Sequence, residues 1–471
     1  MKTCLFYVLL TSYSLVLTPY SLRGEPHYPD TAVVVGYSKT WEALPNPAAR
    51  ACVRDSRSYI YIAYADSEGI FVKRSTNQGQ TWLLLDTLNY SAPYAQYAYP
   101  AVANLPGDTL FVAWEEGYVD TNSVFRYDIF VSRYDGTGWT SPKAISYTLP
   151  GGNSAHNPCL ASGSGGYVHC VWQSQNRGVF YAEYQAGVWS PPENIAPGGL
   201  VTFPSLVADS LGNLHLAYEL NRIIYKKCTG GIWDTTETVS LSPGAHPCIV
   251  VDRSNNPHII YYAWNDSISL DIFYQYRGGS GWSSPKNISN DIGISQVASL
   301  SIDSNDCLYT AWGDDTRDTS VGHFDIFYST FDTLWSAPVT ITDSSYPPNG
   351  HCSIGLPVTS DGVDVVWLRQ LGYKREQVLY RRLPLVGSGV EQGRIVSSPV
   401  SRHPFSVVPN PFVSYASVPR HEKERFSLYD IAGRKVGVYQ GNRVGLGLSA
   451  GIYFLKPENK DANLLRVVKL R

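Results

Sequence analysis

Charge is scarce in this sequence. Asp, Glu, Lys and Arg make up 16% of its 471 residues, against roughly 25% in ordinary soluble domains, and the formal net charge is only −3. Without a basic excess there is no electrostatic footprint for nucleic acid, and that partner class is excluded. Methionine occurs once, and Cys-x-x-Cys spacing is absent. Besides Cys4 there are seven cysteines, Cys52, Cys159, Cys170, Cys228, Cys248, Cys307 and Cys352. An odd number without paired spacing argues against a zinc site and a complete disulfide framework, and leaves most of them as small buried packing residues. No apolar run beyond the N-terminus is long enough for a membrane-spanning helix.

Aromatic residues, by contrast, are abundant: 34 Tyr and 12 Trp bring the class to 13%, a profile suited to an all-β extracellular protein. The start, MKTCLFYVLLTSYSLVLTPYSLRG, places Lys2 before an apolar stretch from Leu5 to Leu17. It reads as a secretory signal over residues 1–23, because the run is shorter than the roughly 20 apolar residues of a membrane anchor.

One outline then recurs. PSLVADSLGNLHLAY (Pro204 to Tyr218), PAVANLPGDTLFVAW (Pro100 to Trp114) and PCLASGSGGYVHCVW (Pro158 to Trp172) share their length, a small apolar opening and an aromatic end. The same 14-residue spacing links Arg50 with Tyr64, Pro247 with Tyr261, Ala298 with Trp312 and Ser353 with Trp367. Each span holds two short strands and a turn, followed by a third strand such as DIFVSRY (Asp128 to Tyr134). A fourth strand then opens with Trp82, Trp139, Trp189, Trp233, Trp282 or Trp335. Four-stranded antiparallel repeats of about 43 to 58 residues have the size of propeller blades.

The seventh repeat ends at VLYRRLPL (Val378 to Leu385) with no tryptophan strand after it, whereas AVVVGYSKTWEAL (Ala32 to Leu44) precedes the first repeat and contains Trp41. An N-terminal strand completing the last blade would remove its open edge. The expected fold is therefore all-β: a seven-bladed β-propeller over residues 31–385 with N-terminal strand closure, or six blades if the Trp41 segment pairs elsewhere. A Gly- and Ser-rich linker over residues 386–402 and a small C-terminal β-sandwich over residues 403–471 follow.

STNQGQTW (Ser75 to Trp82) resembles the Asp-box of sialidase-like propellers, Ser-x-Asp-x-Gly-x-x-Trp, with Asn77 in place of the aspartate, and DGTGW (Asp135 to Trp139) is a more degenerate copy. The resemblance implies a structural turn on the face opposite the active site, not sialidase activity. Neither the Arg-Ile-Pro element nor the three-arginine cluster of sialidases can be matched here; Arg50 begins a first strand, but AARACV lacks the rest of the element. VVPNPF (Val407 to Phe412), FSLYDIAGRKV (Phe426 to Val436), LSAGIYFLK (Leu448 to Lys456) and RVVKLR (Arg466 to Arg471) resemble the type A C-terminal sorting domain of the bacterial type IX secretion system. That resemblance implies export through the periplasm, the secretion machinery as a partner, and a destination outside the cell or on its outer surface.

In a propeller, the loops joining strands two and three share one face with the blade-to-blade connections. They bring Asp66, Glu115, Glu116, Glu219, Asp266, Asp314 and Asp315 there as an acidic rim. Such a rim suits calcium, cationic groups or sugar hydroxyls, and two of its carboxylates would serve a glycoside hydrolase if held at the required separation. Recurrence at one repeat position favours a structural role for these acids instead. His156, His246 and His351 enter blades three, five and seven. Three imidazoles suit a transition metal, but alternate blades hold them apart and no second-shell partner can be named, so no metal site is assigned. His169, His215 and His258 share one register on strand two and are expected to pack between blades. The function expected is an extracellular glycan- or protein-binding module, with a sialidase-like glycoside hydrolase and a structural cell-surface protein as alternatives.

Overall fold

The computed structural model describes residues 32–40, 42–45, 48–88, 98–105, 107–119, 123–146, 154–199, 201–265, 269–290, 293–315, 324–342, 349–360, 362–383, 385, 425–430, 434–440, 442–457 and 465–469. Among these, the regular structure is strand throughout except for one short 3-10 turn, Ser164–Gly166. No described helix is long and apolar enough to cross a membrane.

The strands form eight antiparallel sheets, seven of them between residues 33 and 383. The first sheet runs Cys52–Arg54, Ile60–Asp66, Gly69–Ser75, Leu83–Leu88, and the fifth runs Gly244–Val251, Pro257–Trp264, Leu270–Gly278, Gly281–Trp282, with Lys286–Asn287 also on its third strand. In the seventh, Asn349–Ile354, Val363–Gly372 and Arg375–Leu383 are joined by Val33–Ser38, whose Val33 faces Tyr380 and whose Ser38 faces Glu376. The eighth sheet pairs Arg425–Asp430 with Lys435–Gln440 on one side and Gly451–Pro457 on the other, and Leu465–Lys469 follows outside the latter.

The 14-residue spacing is a cross-strand register. Cys52 faces Ile62, Ala101 faces Ala113, Cys159 faces Val171, Ser205 faces Ala217, Cys248 faces Ile260 and Ser299 faces Ala311, each continuing the paired positions. The seventh repeat departs from it by one residue, with Trp367 facing Cys352 rather than Ser353. The 1–2 turns are set by aspartates. The Asp209 carboxylate accepts the N–H groups of Leu211 and Asn213, and Asp252, Asp303 and Asp55 repeat this two and four residues on. The second oxygen of each reaches strand two, at His215, His258, Tyr309 or Tyr61. His215 and His258 in turn contact the hydroxyls of Tyr225 and Tyr274 at 2.8 and 2.7 Å, which gives these buried imidazoles polar partners.

Two sets of contacts join one sheet to the next. In the outer set, the tryptophans of four 3–4 hairpins meet an aromatic ring of the preceding sheet: Trp189 meets Phe111, Trp233 meets Tyr181, Trp282 meets Tyr225 and Trp335 meets Tyr274, whereas Trp139 packs on Tyr134 of its own sheet. Trp82 meets Tyr380, which links the first sheet to the seventh. The N-terminal strand described is Val33–Ser38, and Trp41 lies outside the described residues.

The inner set is a hydrogen-bonded chain along the first strands. Leu206 N–H donates to Cys159 Sγ, Ile249 N–H to Ser205 Oγ, Leu300 N–H to Cys248 Sγ, Ile354 N–H to Ser299 Oγ, Ala51 N–H to Ser353 Oγ and Val102 N–H to the Arg50 carbonyl. The small inner residues thus do more than fit a narrowing space: their Ser and Cys side chains accept the edge N–H of the next sheet. The links run from the third sheet through the seventh to the first and second. The segment before the first sheet lies among them. Ala48 carbonyl accepts from Cys159 and Ser205, while Arg50 Nη1 donates to Ser299 Oγ at 3.2 Å and to the Ile354 carbonyl at 3.4 Å. Ala48 and Arg50 therefore reach the third, fourth, sixth and seventh sheets between them.

Candidate functional site

The first strands bend where they begin. In the third to seventh sheets the register shifts just after His156, Thr202, Ala245, Gln296 and Asn349. Within four of these bulges sits a residue with left-handed backbone: Asn157, Phe203, His246 and Val297, with φ of 53°, 49°, 50° and 58°. Such conformations cost on the order of 1–3 kcal/mol in non-glycine residues and persist only where the surroundings fix them.

Part of what fixes them is the acidic or amide residue that follows the strand-two aromatic in the preceding sheet. Glu115 accepts Asn157 N–H at 2.5 Å, Gln173 accepts Phe203 N–H at 3.1 Å and Glu219 accepts His246 N–H at 3.4 Å. Glu115 also contacts His156 Nδ1 at 2.9 Å. The other acids of the expected rim are likewise engaged. Asp66 is buried and accepts the N–H groups of Lys39 and Glu68; Glu116 and Asp314 are buried and accept the indole N–H groups of Trp114 and Trp312. Asp314 also accepts from Ser295 Oγ, and Asp315 accepts Ile294 N–H at 2.6 Å. Asp266 lies outside the described residues. The described carboxylates are thus tied into turns and sheet-to-sheet junctions rather than displayed as a free rim.

What gathers at the bulges is aromatic. The rings of Phe203 and His246 stack with centroids 3.7 Å apart, and His246 lies 5.2 Å from the ring of Tyr262. His156 packs 4.9 Å from Tyr127 in the same way. Trp264, two residues beyond Tyr262 on the same strand, remains 50% exposed, unlike the buried Trp114, Trp172, Trp312 and Trp367. Burial lowers the His246 imidazole to about 3, and the charge of nearby His351 adds to the effect, so His246 is neutral at ordinary pH. Burial raises the Glu219 carboxyl above its ordinary value and likewise raises the Tyr262 phenol. His351 Nδ1 is buried without a hydrogen-bond partner. His246 and His351 therefore approach one another, whereas His156 is held by Glu115. No group of three His, Cys, Asp or Glu side chains arranged for a metal ion occurs among the described residues.

One carboxyl stands apart. Glu376 of the seventh sheet accepts the N–H groups of Glu42 and Ala43 at 3.1 and 2.9 Å, and burial pushes it up to about 7. Phe203 and Tyr262 are legible in hindsight, since one precedes a motif proline and the other follows a strand-two aromatic. Glu376 carries no such signal.

The 3–4 turns lie at the opposite end of each meander. In the Asp-box-like turn, Asn77 Oδ1 accepts Thr81 N–H, Ser75 Oγ accepts Gly79 N–H, and the Trp82 indole N–H donates to the Gly79 carbonyl. These bonds give the motif a structural role.

No family model and no curated protein matches the sequence. Solved structures do. The ulvan lyase of polysaccharide lyase family PL25, bound to -[GlcA(1-4)Rha3S]-, superposes with a TM-score of 0.59 over 75% of this chain and 96% of that one, at 8% identity. The same type of lyase described without that ligand gives 0.57 at 9% identity, over 75% and 96% of the two chains. The Hadza microbial sialidase Hz136 gives 0.42 at 14% identity, over 72% and 75%. The chain has a propeller-like, all-β fold. At these identities the likeness to the lyase concerns the fold alone.

Proposed function

We propose that this protein is an extracellular glycan-binding propeller whose binding face is the end of the molecule where the first strands bulge. The observation that carries the reading is the aromatic cluster there: His246 stacked on Phe203 and packed against Tyr262, with Trp264 half exposed two residues further along the strand. Flat rings with neutral polar edges suit sugar faces and hydroxyls, because C–H groups pack on the ring while edge nitrogens and oxygens exchange hydrogen bonds. The like-folded lyase acts on a polysaccharide, which supports a glycan over a protein ligand.

In this reading the seven sheets form a closed ring, sealed by Val33–Ser38 in the seventh. The Trp82–Tyr380 contact, the parallel bridge between Val53 and Leu356, and the inner hydrogen-bonded chain support closure. The C-terminal sheet serves as a type IX sorting domain, a role supported by its four motifs in order and by antiparallel pairing through Phe426 and Tyr453. Calcium on the acidic face remains a secondary element of the proposal; because most described carboxylates already accept protein hydrogen bonds, binding is expected to survive chelation.

The test is a glycan array probed with the secreted chain, followed by titration of any hit against Trp264→Ala and Tyr262→Phe. Loss of roughly two- to tenfold in affinity for Trp264→Ala is expected, since stacked aromatic contacts contribute about 0.5–1.5 kcal/mol. Absence of binding to any glycan, or affinity unchanged in Trp264→Ala, would reject the reading.

A further inference from the structure

We propose that the cavity between the second and third sheets, at the end where their 3–4 hairpins turn, binds a small carboxylate carried on a single ring. The cavity measures about 180 Å³ and is walled by Phe111, Tyr184 and Trp189, with Arg133 and Lys143 beside them. The rings meet edge-on or tilted, with centroids 4.9 Å apart for Phe111 and Tyr184 and 5.6 Å apart for Tyr184 and Trp189. One residue of the repeat sets this junction apart. The position three residues before the strand-two aromatic is Tyr61, His215, His258 or Tyr309 in four other sheets, and each of these reaches the aspartate of its own 1–2 turn. In the second sheet it is Phe111, which has no polar atom to do so. The acid of that turn, Asp108, accepts from Ser56 in the turn of the first sheet instead.

Arg133 faces Phe111 across strands two and three of the second sheet. Its Nη1 donates to Tyr184 Oη at 2.9 Å, while its Nε is buried with no acceptor, and it forms no ion pair among the described residues. Asp135, two residues on, is exposed, and its carboxylate already accepts from Thr137 and Gly138 of its own turn. Lys143 is exposed and has no hydrogen bond or ion pair among the described residues. The free hydrogen-bonding capacity here is donor capacity. Tyr184 Oη accepts from Arg133 Nη1, Thr140 Oγ1 accepts Arg133 N–H at 3.0 Å, and neither hydroxyl donates to a described residue. The cavity thus offers two cations and two hydroxyl hydrogens beside aromatic walls, with no carboxylate among its lining residues. A carboxylate matches the donors and a ring matches the walls, whereas a neutral polyol needs acceptors as well. The volume suits one six-membered ring, since an apolar cavity of about 150 Å³ holds benzene. This site lies at the opposite end of the meanders from the bulges and does not depend on glycan binding there.

The experiment measures dissociation constants by saturation-transfer NMR on the full chain, with sodium benzoate and sodium glucuronate as probes and benzyl alcohol and methyl glucoside as their uncharged counterparts. An anion that fits should bind roughly tenfold or more tightly than its counterpart, because charge-assisted hydrogen bonds are about twice as strong as neutral ones. Arg133→Met should weaken that binding by roughly tenfold and Lys143→Gln by roughly two- to fivefold, with Trp264→Ala, at the other end, leaving it unchanged. Lys143 is exposed, so Lys143→Gln decides the matter even if Arg133→Met fails to fold. Binding of benzoate alone assigns the cavity to an aromatic acid, binding of glucuronate alone assigns it to an acidic sugar, and binding of both shows that the shared ring and carboxylate suffice. Dissociation constants above about 10 mM for both anions, equal affinity for the uncharged counterparts, or unchanged affinity in Lys143→Gln would overturn the proposal.

Discussion

Replacing Asp364 with alanine should destabilise the protein more than almost any other single change at the junction of the first and seventh sheets. Asp364 and Arg54 are 2% and 1% exposed at their side chains, and the pair is bidentate, with Nη2 to Oδ1 at 2.7 Å and a second bond from Nε. Tyr380 Oη donates to the same carboxylate at 2.6 Å. Removing Asp364 leaves a buried guanidinium with only Ser58 and Gln78 as acceptors and strands the Tyr380 hydroxyl. Breaking a buried pair in this way costs about 3–5 kcal/mol, whereas replacing both partners with apolar residues of similar volume is often close to neutral. With an unfolding entropy of about 2.1 cal/mol/K per residue, a unit of about 350 residues should lose roughly 4–7 °C in melting temperature.

The assay compares Asp364→Ala with the apolar double replacement Arg54→Met/Asp364→Leu, followed by tryptophan fluorescence in urea and by calorimetry. The double variant should recover most of the loss, which separates the penalty of an uncompensated charge from a loss of packing. A cost below about 1 kcal/mol for Asp364→Ala would refute the reasoning, because it would mean that water reaches the pair and that the two sheets do not seal the seam.

Three further outcomes are expected. Gly79 has φ of 82°, and a Cβ there would lie 1.9 Å from the Tyr380 ring, so Gly79→Ala should cost on the order of 1–3 kcal/mol by combined strain and overpacking; a variant as stable as wild type in urea would contradict the turn geometry. Deleting Ala32 to Leu44 removes the strand paired with Arg375–Leu383 and exposes its edge, so the melting temperature should fall and self-association should rise in light scattering. Glu376 has its folded pKa raised to about 7 from an ordinary value of 4.5, so the folded state binds the extra proton and stability declines as pH rises from about 4.5 through 7. Glu376→Gln should flatten that decline in urea midpoints measured across the window, and an unaltered profile would assign it to other groups.

The repeat itself was legible in the sequence because it is written in local chemistry. Aspartates that fold back on their own N–H groups, alternating apolar residues and glycine turns such as Gly79 act within a few residues of themselves. Seven sheets, the register of the first six and the N-terminal strand are therefore visible in the spacing. The seventh repeat slips by one residue, because register is decided by pairing with a partner strand rather than by periodicity.

The site was less legible. The sequence presents Glu115, Glu219 and Asp314 as acids on loops, but whether a carboxylate meets solvent or a neighbouring sheet's N–H depends on residues 27 or more positions away, such as His246 for Glu219 and Asn157 for Glu115. Trp264 stands outside the recurring tryptophan positions of the repeat, and it is half exposed. Local hydrogen bonding and periodic burial let the sequence by itself determine the strands, the turns and the order of the sheets. Only the tertiary structure decided which polar groups are satisfied and which face one another, since burial and the pKa of Glu376 are properties of surroundings assembled from distant segments.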